Sequence, residues 1–154
     1  MSNGIVAFQE KDHDRLVDIW YNAVVHTHTF LTEKDIQFYH DLVKNGALKE
    51  VEIWVEYNEH GEPTGFIGLN ESKIEMLFVD PAHHGKGIGS RLIYHAIKIK
   101  GTNLQVDVNE QNDGAYVFYK RLGFVQVGRS ELDGSGQPFP LLHLELKGEV
   151  NADY

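Results

Sequence analysis

The chain has 154 residues and a formal net charge of −9 at pH 7, and 42% of its residues are hydrophobic. This length predicts one domain, residues 1–154, with enough apolar residues to form a core. The acidic balance argues against sequence-independent binding to nucleic acid, which depends on Lys and Arg that neutralise phosphates. It is compatible with a cationic substrate such as an amine, although plain solubility explains the charge equally well.

The sequence contains no cysteine. Disulfides and thiolate metal sites are therefore excluded. The N-terminus shows no basic region followed by an apolar run, and no apolar stretch approaches the ~20 residues of a membrane span. We therefore expect a cytoplasmic location without a signal peptide or membrane association.

The chain begins with a strand at residues 5–8 and a helix that opens near Asp12. Apolar residues recur at helical spacing along that helix: Leu16, Ile19, Trp20, Ala23 and Val24. The pattern breaks over residues 25–31. Thr32 then caps a second helix, with Asp35 three residues later in a capping-box position.

The later elements predict a mixed sheet. Strands are predicted over 51–57, 64–69, 73–79, 104–109, 124–131 and 140–146, helices over 88–100 and 114–122, and a polar tail over 149–154. The first three of these strands form an antiparallel meander, the third being central and covered on both faces. A βαβ unit follows, whose strands should be parallel. We expect an α/β (α+β) fold, with about seven strands and about four helices on both faces.

Residues 76–91 form the most distinctive stretch. It begins as an apolar strand, breaks at residues 80–81, and enters a helix through three alternating glycines: Gly85, Gly87 and Gly89. Free backbone N–H groups at a helix N-terminus attract anions, and glycine allows close approach, so this segment predicts a site for a phosphorylated ligand. The spacing fits neither the P-loop, because Lys86 precedes Gly87, nor the dinucleotide pattern G-x-G-x-x-G.

The glycine segment instead resembles the acetyl-CoA pyrophosphate loop of the GNAT family of N-acetyltransferases, (Gln/Arg)-x-x-G-x-(G/A). Residues 84–89 fit this pattern, with His84 standing where Gln or Arg is usual. A second stretch, residues 109–124, is similar to the family's strand, Asn and A-x-x-F-Y-x-x-x-G-F helix. The chain is thus identified as a member of the GNAT fold family, most similar to a bacterial subgroup of small stand-alone acetyltransferases.

The resemblance implies acetyl-CoA as cosubstrate and assigns residues to it. Backbone groups on the strand before the loop would pair with the pantetheine arm as an additional strand: Leu77, Phe78 and Val79. The loop amides would hold the diphosphate: His84, Gly85, Lys86, Gly87, Ile88, Gly89 and Ser90. Lys86 and Arg91 would add positive charge nearby, and Asn109 would hydrogen-bond the cofactor arm.

The resemblance also places Tyr119 near the sulfur as a general acid, because coenzyme A leaves as a thiolate. Packing of this aromatic on the sheet is the other interpretation. The attacking amine needs a base, since a lysine-like amine with a pKa of ~10.4 is mostly charged at pH 7. Glu75 is the first candidate, as a lone carboxylate on an apolar strand, on the same side as Leu77 and expected to be buried. The alternative is a Glu75 that is ion-paired to a neighbour or that points at a gap in the cover of the strand. His28 is the second candidate, since imidazole titrates near neutrality.

His26 and His28 lie where GNAT proteins shape the acceptor pocket. Pocket lining and surface exposure both remain open for them. Two histidines alone do not complete a metal site, so we expect no metal.

Together these features predict an enzyme that transfers an acetyl group from acetyl-CoA to a primary amine by direct attack in a ternary complex. Without cysteine, an acetyl-cysteine intermediate is excluded. The acceptor is a small molecule, a protein lysine or a protein N-terminus, and the enzyme is a monomer or homodimer. Two alternatives remain at this stage: a non-catalytic acyl-CoA-binding sensor on the same fold, and a nucleotide-binding α/β module without thioester chemistry.

Overall fold

The computed structural model describes residues 4–146. Along them run β1 (Ile5–Ala7), α1 (His13–Thr27), α2 (Glu33–Lys44), β2 (Glu52–Tyr57), β3 (Pro63–Asn70), β4 (Lys73–Val79), α3 (Ile88–Lys100), β5 (Gln105–Asn109), α4 (Asp113–Arg121), β6 (Phe124–Ser130) and β7 (Leu141–Leu146). The polar tail predicted at 149–154 lies outside the described residues. No helix within them has both the length and the apolar character needed to cross a membrane.

The seven strands form one sheet in the order β1-β2-β3-β4-β5-β7-β6. Strands β1 to β4 pair antiparallel, which confirms the predicted meander. The β4–β5 pair is parallel, as the βαβ unit through α3 predicted, and β7 inserts antiparallel between β5 and β6. The predicted mixed sheet is therefore confirmed.

The helices cover both faces of this sheet and form two cores. On one face α1 and α2 pack on β2 and β3, in a cluster that includes Leu16, Trp20 and Phe66. On the other face α3 and α4 pack on the sheet around Leu92 and Phe124. Every member of the predicted apolar face of α1 is buried, because the helical spacing brings those side chains onto one side.

Helix ends follow local sequence signals. The Thr32 hydroxyl accepts from the Asp35 amide (3.1 Å), and the Asp35 carboxylate accepts from the Thr32 amide (2.9 Å), which confirms the capping box. Helix α1 continues to Thr27, beyond the break predicted at residue 25. Its last turn is closed by the His28 amide on the Val24 carbonyl (2.8 Å), and its exposed outer residues give no apolar periodicity from which to read the end.

Strands β4 and β5 separate soon after they meet. Their register contains only the pairs Lys73↔Gln105 and Ile74↔Val106. On the other side of β4 the register with β3 shifts between Gly68 and Leu69, which leaves Glu75 unpaired in a bulge. Beyond Ile74 the strand is only half-buried, so the prediction of a strand covered on both faces is wrong there. The separation opens the clefts described next.

Candidate active site

The glycine-rich loop is fixed at its start by Asp80. This carboxylate accepts hydrogen bonds from the Ala82 amide and from the Arg15 guanidinium on α1, and the Asp80 amide donates to the Thr64 carbonyl on β3. Burial alone would raise the pKa of Asp80, but the hydrogen bonds from Arg15 and Ala82 outweigh it and hold the pKa below its ordinary value. The loop is thereby anchored to both α1 and the sheet.

Two glycines give the loop its turn. Gly85 has φ 83° and Gly87 has φ 77°, both in the left-handed region that disfavours a side chain. At Gly89 a side chain is disfavoured by lack of space instead, since a Cβ there would lie 3.3 Å from the Phe118 ring. The first amides of α3 have no intrahelical acceptor and carry the positive end of the helix dipole. The loop therefore has the left-handed glycines and free amides that the prediction of an anion-binding site requires.

This loop borders a cleft of about 450 Å³ between β4, the end of α1 and α4. The cleft is lined by Leu77, Phe78, Val79, His84, Gly85, Gly87, Ile88, Gly89, Ser90, His28, Asn112, Phe118 and Tyr119, among others. It thus collects most of the residues that the sequence assigned to the cofactor. We call it the cofactor cleft.

Arg91 and Lys86 do not lie among the residues that line this cleft. Arg91 is held by Glu56, with its Nε and Nη2 donating to the two carboxylate oxygens (2.8 and 2.7 Å), and its Nη1 donates to the Lys86 carbonyl (2.7 Å). Both side chains border a separate cavity beside the β2–β3 turn. The Arg91 charge is therefore compensated by Glu56, and an anion in the cleft would be met mainly by backbone amides.

Tyr119 is buried, with 5% of its surface exposed, and it lines the cofactor cleft. Its ring packs edge-to-face against Phe118 and Phe124. Within residues 4–146 no hydrogen bond is made by its hydroxyl. Burial raises the pKa of Tyr119, so the phenol remains protonated at neutral pH. The ring therefore packs on the sheet, and the same residue also lines the cleft.

His28 lies where the cofactor cleft meets a second cavity, since it lines both. The Thr27 hydroxyl donates to the Ala23 carbonyl (2.8 Å), so its oxygen accepts from His28 Nδ1 (2.8 Å). This assigns the proton to Nδ1 and leaves the Nε2 lone pair facing Asn112 Nδ2 at 3.4 Å. Burial lowers the pKa of His28, so a neutral imidazole is favoured.

The second cavity, of about 340 Å³, lies between α1, α2, β4 and the loop that joins β6 to β7. Its walls are Trp20, Val24, His28, Leu31, Tyr39, Leu42, Val43, Ala47, Glu75, Met76, Phe78, Asn109, Asp133, Ser135, Phe139 and Leu141. Most of these side chains are apolar, and the carboxylates are those of Glu75 and Asp133. We call it the acceptor pocket.

Glu75 differs from expectation in two ways. It is exposed rather than buried. It lines the acceptor pocket with Met76 and Phe78, whereas Leu77 packs in the core beneath α3, so the predicted shared side with Leu77 is wrong. The bulge at Glu75 is the reason, because an extra residue breaks the alternation of a strand.

The sequence assigned a contact with the cofactor arm to Asn109, but Asn109 and Asn112 line different cavities. Asn109 lines the acceptor pocket, and its side-chain oxygen accepts from the Gln111 amide (3.0 Å). Asn112 caps α4 through the Ala115 amide (3.1 Å) and lines the cofactor cleft beside His28. The sequence signal for Asn112 was its position as a helix cap; nothing local indicated that it would face the cleft.

Sequence reasoning did not assign Tyr39, Asp133 or Phe139 to the acceptor pocket. The Tyr39 hydroxyl donates to Asp133, and the Phe139 ring packs against Tyr39 and Phe30. The segment around Asp133 reads as an ordinary polar loop, and only the fold brings it against α2. His26, by contrast, lies outside both the cleft and the pocket and lines a shallow surface depression. Among the described residues no group of three His, Cys, Asp or Glu could hold a metal ion.

Residues 49–126 match the family described as "Acetyltransferase (GNAT) domain". This match sets aside the alternative of a nucleotide-binding α/β module without thioester chemistry. The chain belongs to the GNAT family and is an acetyltransferase.

The chain is 40% identical to the peptidyl-lysine N-acetyltransferase YjaB of Escherichia coli (strain K12), over 91% of this chain and 94% of the relative. It is 39% identical to YjaB of Salmonella typhimurium, over 88% of this chain and 92% of the relative. The solution structure of apo-form YjaB from Escherichia coli superposes with a TM-score of 0.88 at 39% identity, covering 97% of this chain and all of that one. The predicted similarity to small bacterial acetyltransferases is confirmed.

A more distant structure shares the fold. The PaiA N-acetyltransferase from Thermoplasma acidophilum, solved in complex with coenzyme A, has a TM-score of 0.70 at 20% identity and covers 93% of this chain and 98% of that one. At this identity the likeness extends to the fold alone.

Proposed function

We propose that this acetyltransferase moves the acetyl group of acetyl-CoA to the ε-amine of a lysine in a peptide or protein. The named activity of the two YjaB relatives supports this acceptor class. The shape of the acceptor pocket supports it independently, since apolar walls suit a lysine stem and carboxylates suit its ammonium group. We also propose a cytoplasmic location, which the absence of cysteine fits.

The residues of the cofactor cleft suit acetyl-CoA. Loop amides from His84 to Ser90 would hold its diphosphate, with Gly85 and Gly87 allowing the backbone to approach. Residues 77–79 lie where β5 has left β4, so their backbone groups can pair with an extended ligand chain. Asn112, rather than Asn109, offers an amide side chain inside this cleft.

Tyr119 is proposed as the general acid. When the amine attacks the thioester carbonyl, the carbon–sulfur bond breaks and the sulfur gains negative charge. A protonated phenol beside the cleft can donate to that sulfur. The packing of Phe118 and Phe124 around the Tyr119 ring limits its motion and so holds the hydroxyl in place.

His28 is proposed as the base, with Glu75 as the second candidate. Deprotonating a lysine-like amine at pH 7 costs about 4.6 kcal/mol, so a nearby proton acceptor is valuable. His28 lines both cavities, and burial favours its neutral ring. Its Nε2 carries the lone pair and accepts only a long hydrogen bond from Asn112 Nδ2 (3.4 Å). Glu75 lies on the acceptor side and is exposed, which suits recognition of the ammonium group as well as it suits proton transfer.

One observation supports this proposal above the others: the cofactor cleft and the acceptor pocket share His28 and Phe78 as common walls. An acyl donor in one cavity and an amine in the other would therefore meet without a covalent carrier. Direct attack in a ternary complex follows, since the chain has no cysteine to form an acetyl-enzyme thioester.

The test is release of coenzyme A from acetyl-CoA with a panel of acceptors: lysine peptides with blocked N-termini, peptides with a free N-terminus but no lysine, and polyamines. Turnover with the lysine peptides is expected to exceed that with the others. No finding supports the non-catalytic sensor; binding of acetyl-CoA without turnover of any acceptor would establish it. Preferred turnover of free N-termini would refute the lysine assignment.

A further inference from the structure

The loop of residues 131–140 closes the acceptor pocket against α2. Its Asp133 carboxylate accepts from the Ser135 and Gln137 amides on one oxygen (both 2.9 Å) and from the Tyr39 hydroxyl on the other. The Phe139 ring packs on Tyr39 from the same loop. Asp133 is thus held by its own loop and by a helix distant in the sequence, and it forms part of the pocket wall.

We propose that Asp133 selects a cationic acceptor. This inference rests on the proposed function. A carboxylate offers about four lone-pair positions, and the three donors already present leave one for an ammonium group. Because those donors fix Asp133, little side-chain entropy would be lost when an acceptor binds. The loop would therefore favour cationic acceptors by holding the Asp133 carboxylate in place before the acceptor binds.

The surroundings leave that charge uncompensated. No Lys or Arg of the described residues lines the acceptor pocket. Lys73 begins β4, and its ammonium pairs with Asp107 (2.8 Å) on β5 while it attracts Glu75 without a direct contact. Glu75 is the second carboxylate of the pocket, and within residues 4–146 it forms no ion pair. A long aliphatic chain ending in an ammonium group fits a cavity of this composition, whereas a neutral chain would leave both carboxylates unused.

The charge can be removed with little change of shape by Asp133→Asn. The amide oxygen of Asn can still accept from the Ser135 and Gln137 amides, and its NH₂ group can donate to the Tyr39 oxygen. Glu131→Gln is the matched control, because it removes a negative charge from the same loop outside the pocket, where Glu131 pairs with Arg129. Tyr39→Phe is the second variant, which keeps the charge and removes one donor.

Two blocked peptides probe the pocket: one with a single lysine, and one with norleucine, which keeps an aliphatic stem and lacks the ammonium group. Affinities are measured by calorimetry in the presence of coenzyme A, alongside KM and kcat for the lysine peptide. Asp133→Asn is expected to weaken lysine-peptide binding by about tenfold, the loss of one charge-assisted hydrogen bond. Norleucine-peptide binding and the KM for acetyl-CoA should change less than about twofold. Glu131→Gln should match the wild type, and Tyr39→Phe should keep the lysine preference.

The inference is overturned if Asp133→Asn binds the lysine peptide as the wild type does, or if it weakens both peptides equally, since the loop would then be structural. If that variant fails to fold, equal affinity of the wild type for the lysine and norleucine peptides would overturn the inference, because it would exclude selection by charge. A lysine preference that Glu75→Gln retains would support Asp133, since Glu75 is the other carboxylate that lines the pocket. These binding results do not depend on turnover. A wild type that releases no coenzyme A but prefers the lysine peptide, with that preference lost in Asp133→Asn, would refute the proposed function while leaving the role of Asp133 supported.

Discussion

Replacing Tyr119 with Phe should lower the catalytic rate of this enzyme and leave its stability nearly unchanged. The ring is buried against Phe118 and Phe124, and Phe would keep both contacts. The hydroxyl makes no hydrogen bond within the described residues, so its removal leaves no protein donor or acceptor without a partner. We therefore expect the free energy of unfolding to change by less than about 0.5 kcal/mol.

The catalytic effect should be much larger. Loss of a general acid typically lowers a rate by about 10² or more, which corresponds to about 2.7 kcal/mol in the barrier. The KM for acetyl-CoA should change little, because the hydroxyl acts on the sulfur as the carbon–sulfur bond breaks. Burial raises the pKa of Tyr119, so the wild-type hydroxyl should remain protonated through pH 10 and contribute no alkaline loss of kcat below that pH.

The absence of cysteine makes the assay direct, because a thiol reagent such as dithionitrobenzoate reports released coenzyme A without a background from the protein. Chemical denaturation gives the stability of the same preparations. Tyr116→Phe is the matched control, since Tyr116 lies on the same helix, contacts Lys120 and does not line the cofactor cleft. An unchanged kcat for Tyr119→Phe would remove Tyr119 from the mechanism, and an equal loss in both variants would point to a general effect on α4.

Three further predictions concern the loop, the base and pH. Gly87→Ala should raise the KM for acetyl-CoA, because a side chain at φ 77° destabilises the fold by about 1–2 kcal/mol and disturbs the loop. The control is Gly61→Ala, at φ 76° in a distant turn, which should lose similar stability and keep the wild-type KM. His28→Gln should lower kcat by about 10². It should also abolish the decrease in kcat that we expect for the wild type at acidic pH, where the imidazole becomes protonated. Burial lowers the pKa of His28 in the folded state, so the unfolded chain binds more protons, and wild-type stability should fall as pH decreases below about 6.5. Calorimetry should find this loss of stability reduced in His28→Gln. Arg15→Met should weaken acetyl-CoA binding. The lowered pKa of Asp80 stabilises the wild-type fold above pH ~4, and this contribution is lost below it, so the variant should have a smaller free energy of unfolding above pH ~4. Identical acid unfolding of variant and wild type would contradict this.

The sequence predicted most of the fold because the relevant signals are local. The helical spacing in α1 and the capping box at Thr32 and Asp35 each depend on residues within a few positions of one another. The glycine loop was predictable for the same reason, since its function depends on backbone amides and on left-handed glycines. These features identified the family before any long-range contact was known.

The active site was only partly predictable. Tyr119 and the glycine loop were found because they belong to sequence motifs, and both line the cofactor cleft. The side of the strand that Glu75 occupies could not be derived, because a bulge shifts it and period-two reasoning assumes a regular strand. The ion pair of Arg91 could not be predicted from the sequence either, because its partner Glu56 lies 35 residues away on β2.

The sequence by itself determined the order of elements and a glycine-rich turn at the start of a helix, because backbone conformation and helix ends follow from neighbouring residues. Only the tertiary structure decided which side chains share a cavity. His28 meets Asn112 across 84 residues, and Tyr39 meets Asp133 across 94. Such meetings depend on how the helices pack on the sheet and where β4 and β5 separate, and packing sums many weak contacts that no short stretch of sequence contains.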